Sequence, residues 1–170
     1  MSDAQDARYS EAAAEFGGAL QRLARASEAN PERRRDLLQD MHVALWRSFA
    51  NFDGRCALRT WVYRVAHNVA ASHMGRERRA NAPLVGIDQI EHMPAPADIG
   101  REAEDNQALT RLYALIRQLK PPDRQVMTLY LEDLDAASIA EVTGLSPGAV
   151  ATRVSRLKGH LTRLFHEHTP

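Results

Sequence analysis

The side chains best suited to chemistry lie near the C-terminus, where hydroxyl and basic groups crowd one short stretch. They are Thr152, Arg153, Ser155, Arg156 and Lys158. No acidic residue occurs between Gly144 and Phe165. Such groups donate hydrogen bonds to phosphates and to base edges, and arginine can bind guanine through two hydrogen bonds in the major groove. The pattern predicts contact with DNA. The alternative is an ordinary amphipathic helix whose basic face is only solvated.

The spacing upstream of these donors predicts the element that positions them. Ala140, Gly144 and Val150 stand at the intervals of a helix-turn-helix. This motif needs a small side chain where two helices cross, a glycine that ends the first helix, and an apolar anchor on the second. Ser146 can cap the second helix, and Pro147 suits its first position. The predicted helices are 136–143 and 147 to about 165.

Apolar residues at helical spacing predict three helices in the first half of the chain. The first includes Phe16–Leu23. Asn30 as N-cap and Pro31 as first residue open the second, whose apolar stripe lies between positions 38 and 49. A third helix carries an apolar stripe over 58–69 and ends in a cluster of arginines.

The stretch 81–100 separates these helices from the second half of the chain. It holds three prolines and two glycines and shows no sustained period, which is typical of a linker. Two further helices are predicted beyond it, one ending at Lys120-Pro121-Pro122 and one at Glu132-Asp133. With no strand pattern, the sequence predicts an all-α fold of two small helical domains joined by a flexible linker. The expected boundaries are 1–80 for the first domain, 81–104 for the linker and 105–170 for the second domain.

Composition excludes several classes of protein. The 170 residues are 44% hydrophobic and 26% charged, which suits one medium core or two small ones and argues against general disorder. The N-terminus lacks a basic segment followed by an apolar run, and no stretch approaches the roughly 18 apolar residues of a membrane span. We therefore expect a cytoplasmic protein without membrane insertion. The net charge is zero because an acidic segment, 80–110, offsets the basic C-terminal one.

Catalytic and metal-binding patterns do not occur in the sequence. It has no Walker-type phosphate loop, no HExxH metal pair and no nucleophile motif, so we expect neither an enzyme, a cofactor nor a metal. The single cysteine, Cys56, excludes an internal disulfide and cannot hold structural zinc alone. A redox role for it is a minor alternative. His160, His166 and His168 lie close in sequence, where a helix tail is favoured over a zinc site.

Two blocks of the chain resemble, in the expected order, the extracytoplasmic-function group of the sigma-70 family. The C-terminal block, 115–161, contains LDAASIAEVTGLSPGAVATRVSRLKGHL and is similar to the fourth domain of that family. The N-terminal block, DLLQDMHVALWRSFANFDGRCALRTWVYRVAHNVA, is similar to the second domain. The resemblance spans about Phe16 to Phe165. It implies a sigma factor that binds core RNA polymerase and directs promoter-specific initiation of transcription.

In that family the second domain docks on the clamp helices of the beta-prime subunit. The resemblance places five residues on the docking helix: Asp36, Leu37, Gln39, Asp40 and Trp46. Leu37 and Trp46 could equally belong to the core. Asp36 and Asp40 are better candidates for contact, with a solvated helix face as the alternative.

The second domain of the family also opens the minus-ten promoter element. The loop Asn51-Phe52-Asp53-Gly54-Arg55 corresponds to one that captures a base flipped from the non-template strand. It offers the aromatic wall and hydrogen-bonding groups that an extruded base needs, although a tight turn would use similar residues. Further minus-ten contacts are expected at Arg59, Thr60, Arg64, Asn68, Arg76, Arg78 and Arg79. The last three would meet phosphates, or else only favour the helix dipole.

The fourth domain of the family binds the minus-35 element and the flap of the beta subunit. The corresponding minus-35 contacts here are Ser146, Gly148, Thr152, Arg153, Ser155, Arg156 and Lys158. Ala149 and Ala151 stand where the family often has threonine and a basic residue, so the minus-35 sequence cannot be predicted. Ser138 replaces a glutamate that would complete a capping box, and Cys56 stands in place of a capping serine or threonine.

The remaining alternative is a stand-alone helix-turn-helix regulator whose N-terminal half serves dimerisation or sensing. Tight binding to duplex DNA without polymerase would favour it. A sigma factor should bind weakly by itself, because the four basic residues of the last helix make few phosphate contacts. The family also implies an inhibitory anti-sigma factor as a partner.

Overall fold

The computed structural model describes residues 2–80 and 104–167, and both ranges are built from helices and their connections. The N-terminal range contains α1 (Ser2–Ser27), α2 (Pro31–Ser48) and α3 (Leu58–Ala80). The C-terminal range contains α4 (Glu104–Arg117), α5 (Pro121–Leu131), α6 (Ala136–Thr143) and α7 (Pro147–Glu167). The predicted all-α fold is confirmed. The predicted linker, 81–104, lies outside the described residues except for Glu104.

Helix α2 begins where the sequence predicted. The Asn30 side chain accepts hydrogen bonds from the backbone N–H groups of Glu32 at 3.0 Å and Arg33 at 3.1 Å. This cap satisfies two donors that the first helical turn leaves without partners, and Pro31 has no such donor to satisfy. The order of Asn and Pro is thus sufficient to fix the start of the helix.

Helix α1 is much longer than its apolar pattern indicated. Its first turns reach the C-terminal end of α2, where Trp46 donates its indole N–H to Asp6 at 2.7 Å. Gln5 donates to the Trp46 carbonyl at 2.8 Å, and the Tyr9 hydroxyl lies 2.9 Å from His42 Nδ1. These contacts are polar and join residues 33 to 41 positions apart, so a search for apolar periodicity could not find them.

The core of α1, α2 and α3 continues into the C-terminal helices. Leu20 and Val62 from the first range belong to one buried cluster with Leu129, Ile139 and Val142 from the second. Helix α3 contacts α5 and α6, and α1 contacts α4. Fully burying one such aliphatic side chain contributes about 1.5–3 kcal/mol. The two sets of helices are therefore packed together and not merely tethered.

A second cluster lies among α4, α5 and α7. Ile116, Leu119, Leu157 and Leu164 are each fully shielded from solvent there. Ile116 comes from α4, Leu119 from the turn before α5, and Leu157 and Leu164 from α7. With Met127 of α5 they pack α7 against α4 and α5. No helix within 2–80 or 104–167 is both long and apolar enough to cross a membrane.

Candidate nucleic-acid interfaces

The helix-turn-helix consists of α6, a short turn and α7. Gly144 ends α6 in the left-handed conformation, with φ +81°, and its N–H donates to the Ala140 carbonyl at 2.8 Å. Ser146 then caps α7, because its hydroxyl accepts from the Ala149 N–H at 3.1 Å. Gly144 as the end of α6 and Ser146 as the cap of α7 are both confirmed. Each depends on local backbone chemistry that sequence reveals directly.

The N-terminus of α6 retains one of the two hydrogen bonds of a capping box, the one accepted by the N-cap side chain. The Asp135 carboxylate accepts from the Ser138 N–H at 2.8 Å and is the N-cap of the helix. The Ser138 backbone and hydroxyl hydrogen bonds lower the pKa of Asp135, and the charge of Arg59 adds to this effect. Ser138 therefore does not abolish the cap. Its hydroxyl also accepts a hydrogen bond from Arg59 of α3.

Helix α7 buries one side and exposes the other. Val150, Leu157, Leu161 and Leu164 face the core. The exposed side carries most of the predicted minus-35 residues. These are Ser146, Gly148, Thr152, Ser155, Arg156 and Lys158, with Arg153 half-buried. The polar donors therefore form a continuous surface that could enter a DNA groove.

Asp123 holds two of these donors in place. It lies in the first turn of α5 and is 7% exposed. Its carboxylate accepts from Arg153 at 2.8 Å and from Arg156 at 3.3 Å. Sequence reasoning missed this residue, since nothing in the spacing of an acid 30 positions upstream indicates the pairing. Both arginines therefore have a fixed anchor within their own helical unit.

The loop that follows α2 has the predicted aromatic wall. Phe52 packs edge-on against Phe49, with ring centroids 5.8 Å apart, and lies 5.1 Å from Trp61. The Arg8 guanidinium lies 5.6 Å from the Phe52 ring centroid and donates to the Phe52 carbonyl at 3.1 Å. The ring is half-buried, and Arg8 is a contact that sequence reasoning missed.

The polar part of the same loop forms a tight turn. Asp53 accepts from the Arg55 N–H at 3.0 Å and pairs with its guanidinium at 3.1 Å. Gly54 has a φ of +78°, which suits glycine. Asn51, Asp53 and Arg55 are exposed. The turn alternative is therefore realised in the fold, and it leaves polar groups of the loop open to a ligand.

Three predicted minus-ten residues on α3 contact α6 across the molecule. Arg59 donates to the Ser138 hydroxyl at 3.0 Å, and the buried Thr60 donates to the Glu141 carboxylate at 3.2 Å. Arg64 donates to the Glu141 carbonyl at 2.9 Å and 2.5 Å. Thr60 is therefore covered by α6, whereas Arg59 and Arg64 remain exposed while they bond to it.

The other predicted minus-ten residues of α3 lie further along the helix. They are Asn68, Arg76, Arg78 and Arg79, and all four are exposed. Arg79 donates to the Gly75 carbonyl at 3.3 Å within its own helix. These arginines stand in the last turns of α3, so both predicted roles, phosphate contact and dipole stabilisation, are compatible with their position.

The predicted docking residues of α2 separate into two groups. Asp36, Gln39 and Asp40 are exposed, and Trp46 is 38% exposed with its indole N–H bonded to Asp6. Leu37 is 1% exposed and belongs to the core. The structure thus favours the core alternative for Leu37 and leaves the other four on the surface.

One side-chain cluster could hold a cation. Glu28, His73 and Glu77 each bring one ligand atom to within 4.8 Å of the others. Glu28 already bonds His73 at 3.1 Å, and Glu77 pairs with Arg33 at 3.2 Å. Internal hydrogen bonds and ion pairs account for this cluster without a metal. His168 lies outside the described residues.

These features define a helical protein with a C-terminal helix-turn-helix and, on α3 and the loop before it, a second group of polar and basic side chains. Family models match both parts: Sigma-70 region 2 over residues 13–80 and Sigma-70 region 4 over residues 109–161. The chain belongs to the sigma-70 family, in its extracytoplasmic-function group, and is a sigma factor for transcription initiation.

Relatives among known sigma factors support this assignment. The ECF RNA polymerase sigma factor SigM of Mycobacterium tuberculosis is 28% identical over 147 residues, which cover 86% of this chain and 71% of the relative. The RNA polymerase sigma-H factor of Pseudomonas aeruginosa is 28% identical over 131 residues, covering 72% and 68%. The sequence-based recognition of the family is confirmed.

Two solved structures share the fold. CnrH, in complex with the cytosolic domain of CnrY, has a TM-score of 0.69 at 24% identity and covers 95% of this chain and 89% of its own. The sigma factor RpoE of Bartonella quintana, in complex with the anti-sigma factor NepR, has a TM-score of 0.69 at 17% identity, with coverage of 95% and 98%.

Proposed function

We propose that this sigma factor works in the cytoplasm, where it docks on core RNA polymerase through α2, opens the minus-ten element and reads the minus-35 element with α7. The observation that carries the proposal is the presence of a helix-turn-helix and an aromatic-walled loop on one chain. A stand-alone duplex reader has no use for a loop suited to an unpaired base. The family relationship supplies core polymerase and promoter DNA as the partners.

The docking surface on α2 is acidic. Asp36 and Asp40 are exposed one turn apart, with Gln39 beside them. We assign them to the clamp helices of the beta-prime subunit. The double substitution Asp36→Ala/Asp40→Ala should weaken binding to core polymerase about tenfold, since two interfacial charge contacts contribute about 1 kcal/mol or less each. Glu11→Ala/Glu167→Ala, which removes two exposed acids elsewhere, should leave binding unchanged in the same pull-down titration.

The loop between α2 and α3 is assigned to the flipped base. Phe52 supplies the stacking surface, and the exposed Asn51 and Asp53 supply hydrogen-bonding groups. Stacking a base on an aromatic ring contributes about 1–3 kcal/mol. Phe52→Ala should therefore reduce permanganate reactivity of the melted promoter at least several-fold while duplex binding through α7 persists. Equal melting by the variant would remove the loop from this role.

A groove between α4, α5 and α7 is assigned to the beta flap. It has a volume of about 560 Å³, and its apolar rim includes Leu109 and Leu131, which are 40% and 43% exposed. Large exposed apolar side chains at a groove mark a protein contact. Leu131→Asp should weaken use of minus-35-dependent promoters. We also propose an anti-sigma factor as a partner, as in the RpoE–NepR complex.

Run-off transcription tests the proposal as a whole. Core polymerase from the same organism should initiate at particular promoters of a genomic fragment pool only when this protein is added. Tight binding of the isolated protein to duplex DNA, without initiation from any promoter, would favour the stand-alone regulator. Start-site mapping would then give the two promoter elements directly.

A further inference from the structure

The polar contacts between the two sets of helices involve the residues assigned to the minus-ten element. Arg59, Thr60 and Arg64 on α3 bind Ser138 and Glu141 on α6, as described above. A fourth contact extends the series, because Arg22 on α1 binds Glu132, which directly follows α5, through both carboxylate oxygens at 2.6 Å and 2.8 Å. The contacts thus run along one line rather than at one point.

The acceptors on this line share their chemistry with a DNA backbone. We use the name acceptor edge for Glu132, Ser138 and Glu141. They offer two carboxylates, a hydroxyl and, from Glu141, a main-chain carbonyl in the last turn of α6, where the helix dipole adds partial negative charge. Guanidinium groups bind carboxylate and phosphate oxygens with the same geometry. The four donors of this line, on α1 and α3, are therefore each paired with a group that resembles a phosphate oxygen.

Burial adds a steric barrier to these polar contacts. Thr60 is 4% exposed, and the Glu132 side chain is 15% exposed within its pair with Arg22. Apolar packing lies beneath, because Ile139 and Val142 of α6 belong to the cluster that includes Val62 of α3. A DNA strand cannot reach Thr60 while α6 is in place. Closure and minus-ten contact by Thr60 therefore exclude each other sterically, whereas the exposed Arg59 and Arg64 are occupied by their hydrogen bonds to α6.

We propose that the acceptor edge is an internal substitute for DNA phosphates, which blocks the minus-ten face of α3 until the two sets of helices separate. This inference rests on the proposed function, since it assumes that α3 binds the minus-ten strand. Because the acceptor edge blocks α3, the isolated protein should have a reduced affinity for single-stranded DNA. The apparent dissociation constant rises in inverse proportion to the fraction of open molecules.

The first experiment removes the edge from the full chain. Glu132→Ala/Ser138→Ala/Glu141→Ala is compared with Glu11→Ala/Ser10→Ala/Glu167→Ala, which makes the same changes at exposed positions. Binding of a random-sequence 20-nucleotide single strand is followed by fluorescence anisotropy, and the radius of gyration by small-angle X-ray scattering. We expect the edge variant to expand and to bind about tenfold more tightly, as for a form that is about nine-tenths closed. The control variant should match the wild type in both.

An expanded edge variant with unchanged DNA affinity would overturn the proposal, as would a tighter-binding variant that stays as compact as the wild type. Apolar packing could also keep the edge variant closed, so a second experiment fixes the closed form instead. Thr60→Cys/Glu141→Cys, in a Cys56→Ser background, is joined by a short bismaleimide with a cleavable disulfide. We expect the link to weaken single-strand binding about tenfold and reductant to restore it.

Undiminished single-strand binding by the linked protein would also overturn the proposal. Neither experiment contains polymerase, so they are independent of the transcription assay. If the protein failed to initiate transcription while the link still blocked single-strand binding, the proposed function would fail and the competition between edge and DNA would stand.

Discussion

The two helices assigned to DNA, α3 and α7, both hold their arginines on acceptor groups, but the acceptors come from different places. On α7, Arg153 and Arg156 pair with Asp123 of the neighbouring α5. On α3, Arg59 and Arg64 bind α6, which belongs to the other set of helices. If the two sets of helices separate, Asp123 remains beside α7 because both belong to the same set. The acceptors on α6 move away from α3, because they belong to the other set. The same chemistry therefore positions one DNA face and masks the other.

Solvent exposure agrees with this difference. Asp123 is 7% exposed, so its pairs with α7 are shielded on one side, and Ser155 and Lys158 remain open beside them. Thr60, at 4% exposure, lies under α6. The polar donors of α7 are accessible in this conformation, whereas on α3 Thr60 is covered and the exposed Arg59 and Arg64 are bonded to α6. Promoter recognition should consequently begin at α7.

The largest effect is expected from the packing beneath α6. Ile139 is 1% exposed in the cluster shared by both sets of helices, and Ile139→Ala should lower the free energy of unfolding by about 2–4 kcal/mol. It should also raise single-strand affinity by loosening α6. Urea unfolding and anisotropy measure the two effects. Ile116→Ala, in the second cluster, should lose similar stability without the gain in affinity, and equal gains would mean that general destabilisation exposes α3.

A pH effect of similar size is expected from His67. Its ring is buried at the cleft where α3 meets α5, near Tyr63 and Arg124, and burial lowers its pKa from 6.5 to about 4. The unfolded chain binds the proton more readily, so this contribution to stability is complete above pH 6.5 and is lost as pH falls towards 4. The loss should approach roughly 3 kcal/mol.

Unfolding free energies between pH 4 and 7 would measure this effect, with His67→Gln as the comparison. The carboxylates titrate in both proteins, so the difference between the two curves isolates the histidine. The difference should grow as the pH falls. Parallel curves for the two proteins would show that His67 is not held neutral by the packing of α3 on α5.

A smaller effect is expected from the anchor of α7. Asp123→Asn should cost about 1 kcal/mol, because both arginines keep partial contact with water when the charge is removed. Duplex binding should weaken several-fold as Arg153 and Arg156 lose their fixed positions. A duplex titration with Glu167→Gln as the charge-matched control measures this. Tighter binding by Asp123→Asn would mean that Asp123 masks α7 just as α6 masks α3.

The smallest effect is expected at the cap of α7. Ser146→Ala removes the acceptor for the Ala149 N–H and should cost about 1 kcal/mol, with α3 unaffected. Ser155→Ala, an exposed substitution within the same helix, should be neutral or slightly stabilising because alanine has the higher helix propensity. Thermal unfolding compares them. Equal losses of stability in the two variants would show that the cap does not stabilise α7.

The sequence predicted those parts of the structure that depend on neighbouring residues. Asn30, Gly144 and Ser146 act on the backbone within a few positions, so their residue types were sufficient. Helix α7 was likewise predicted with its buried and exposed sides, because apolar periodicity records which face meets a core.

The contacts between distant residues could not be predicted. The Arg22–Glu132 pair joins positions 110 apart, and the Thr60–Glu141 contact joins positions 81 apart. Exposed acids and arginines look the same in a sequence whether they meet each other or water. The core that the two sets of helices share could not be predicted for a related reason, because periodicity does not say which helix covers an apolar face.

Initiation by the linked protein tests the masking of α3 most directly. Core polymerase is combined with the Thr60→Cys/Glu141→Cys protein, in the Cys56→Ser background, before linking, after linking and after cleavage of the link. Permanganate footprinting and run-off transcription are followed on one promoter. We expect the link to abolish opening of the minus-ten element while minus-35 contact through α7 persists, and reductant to restore opening. Equal opening with and without the link would contradict the masking of α3.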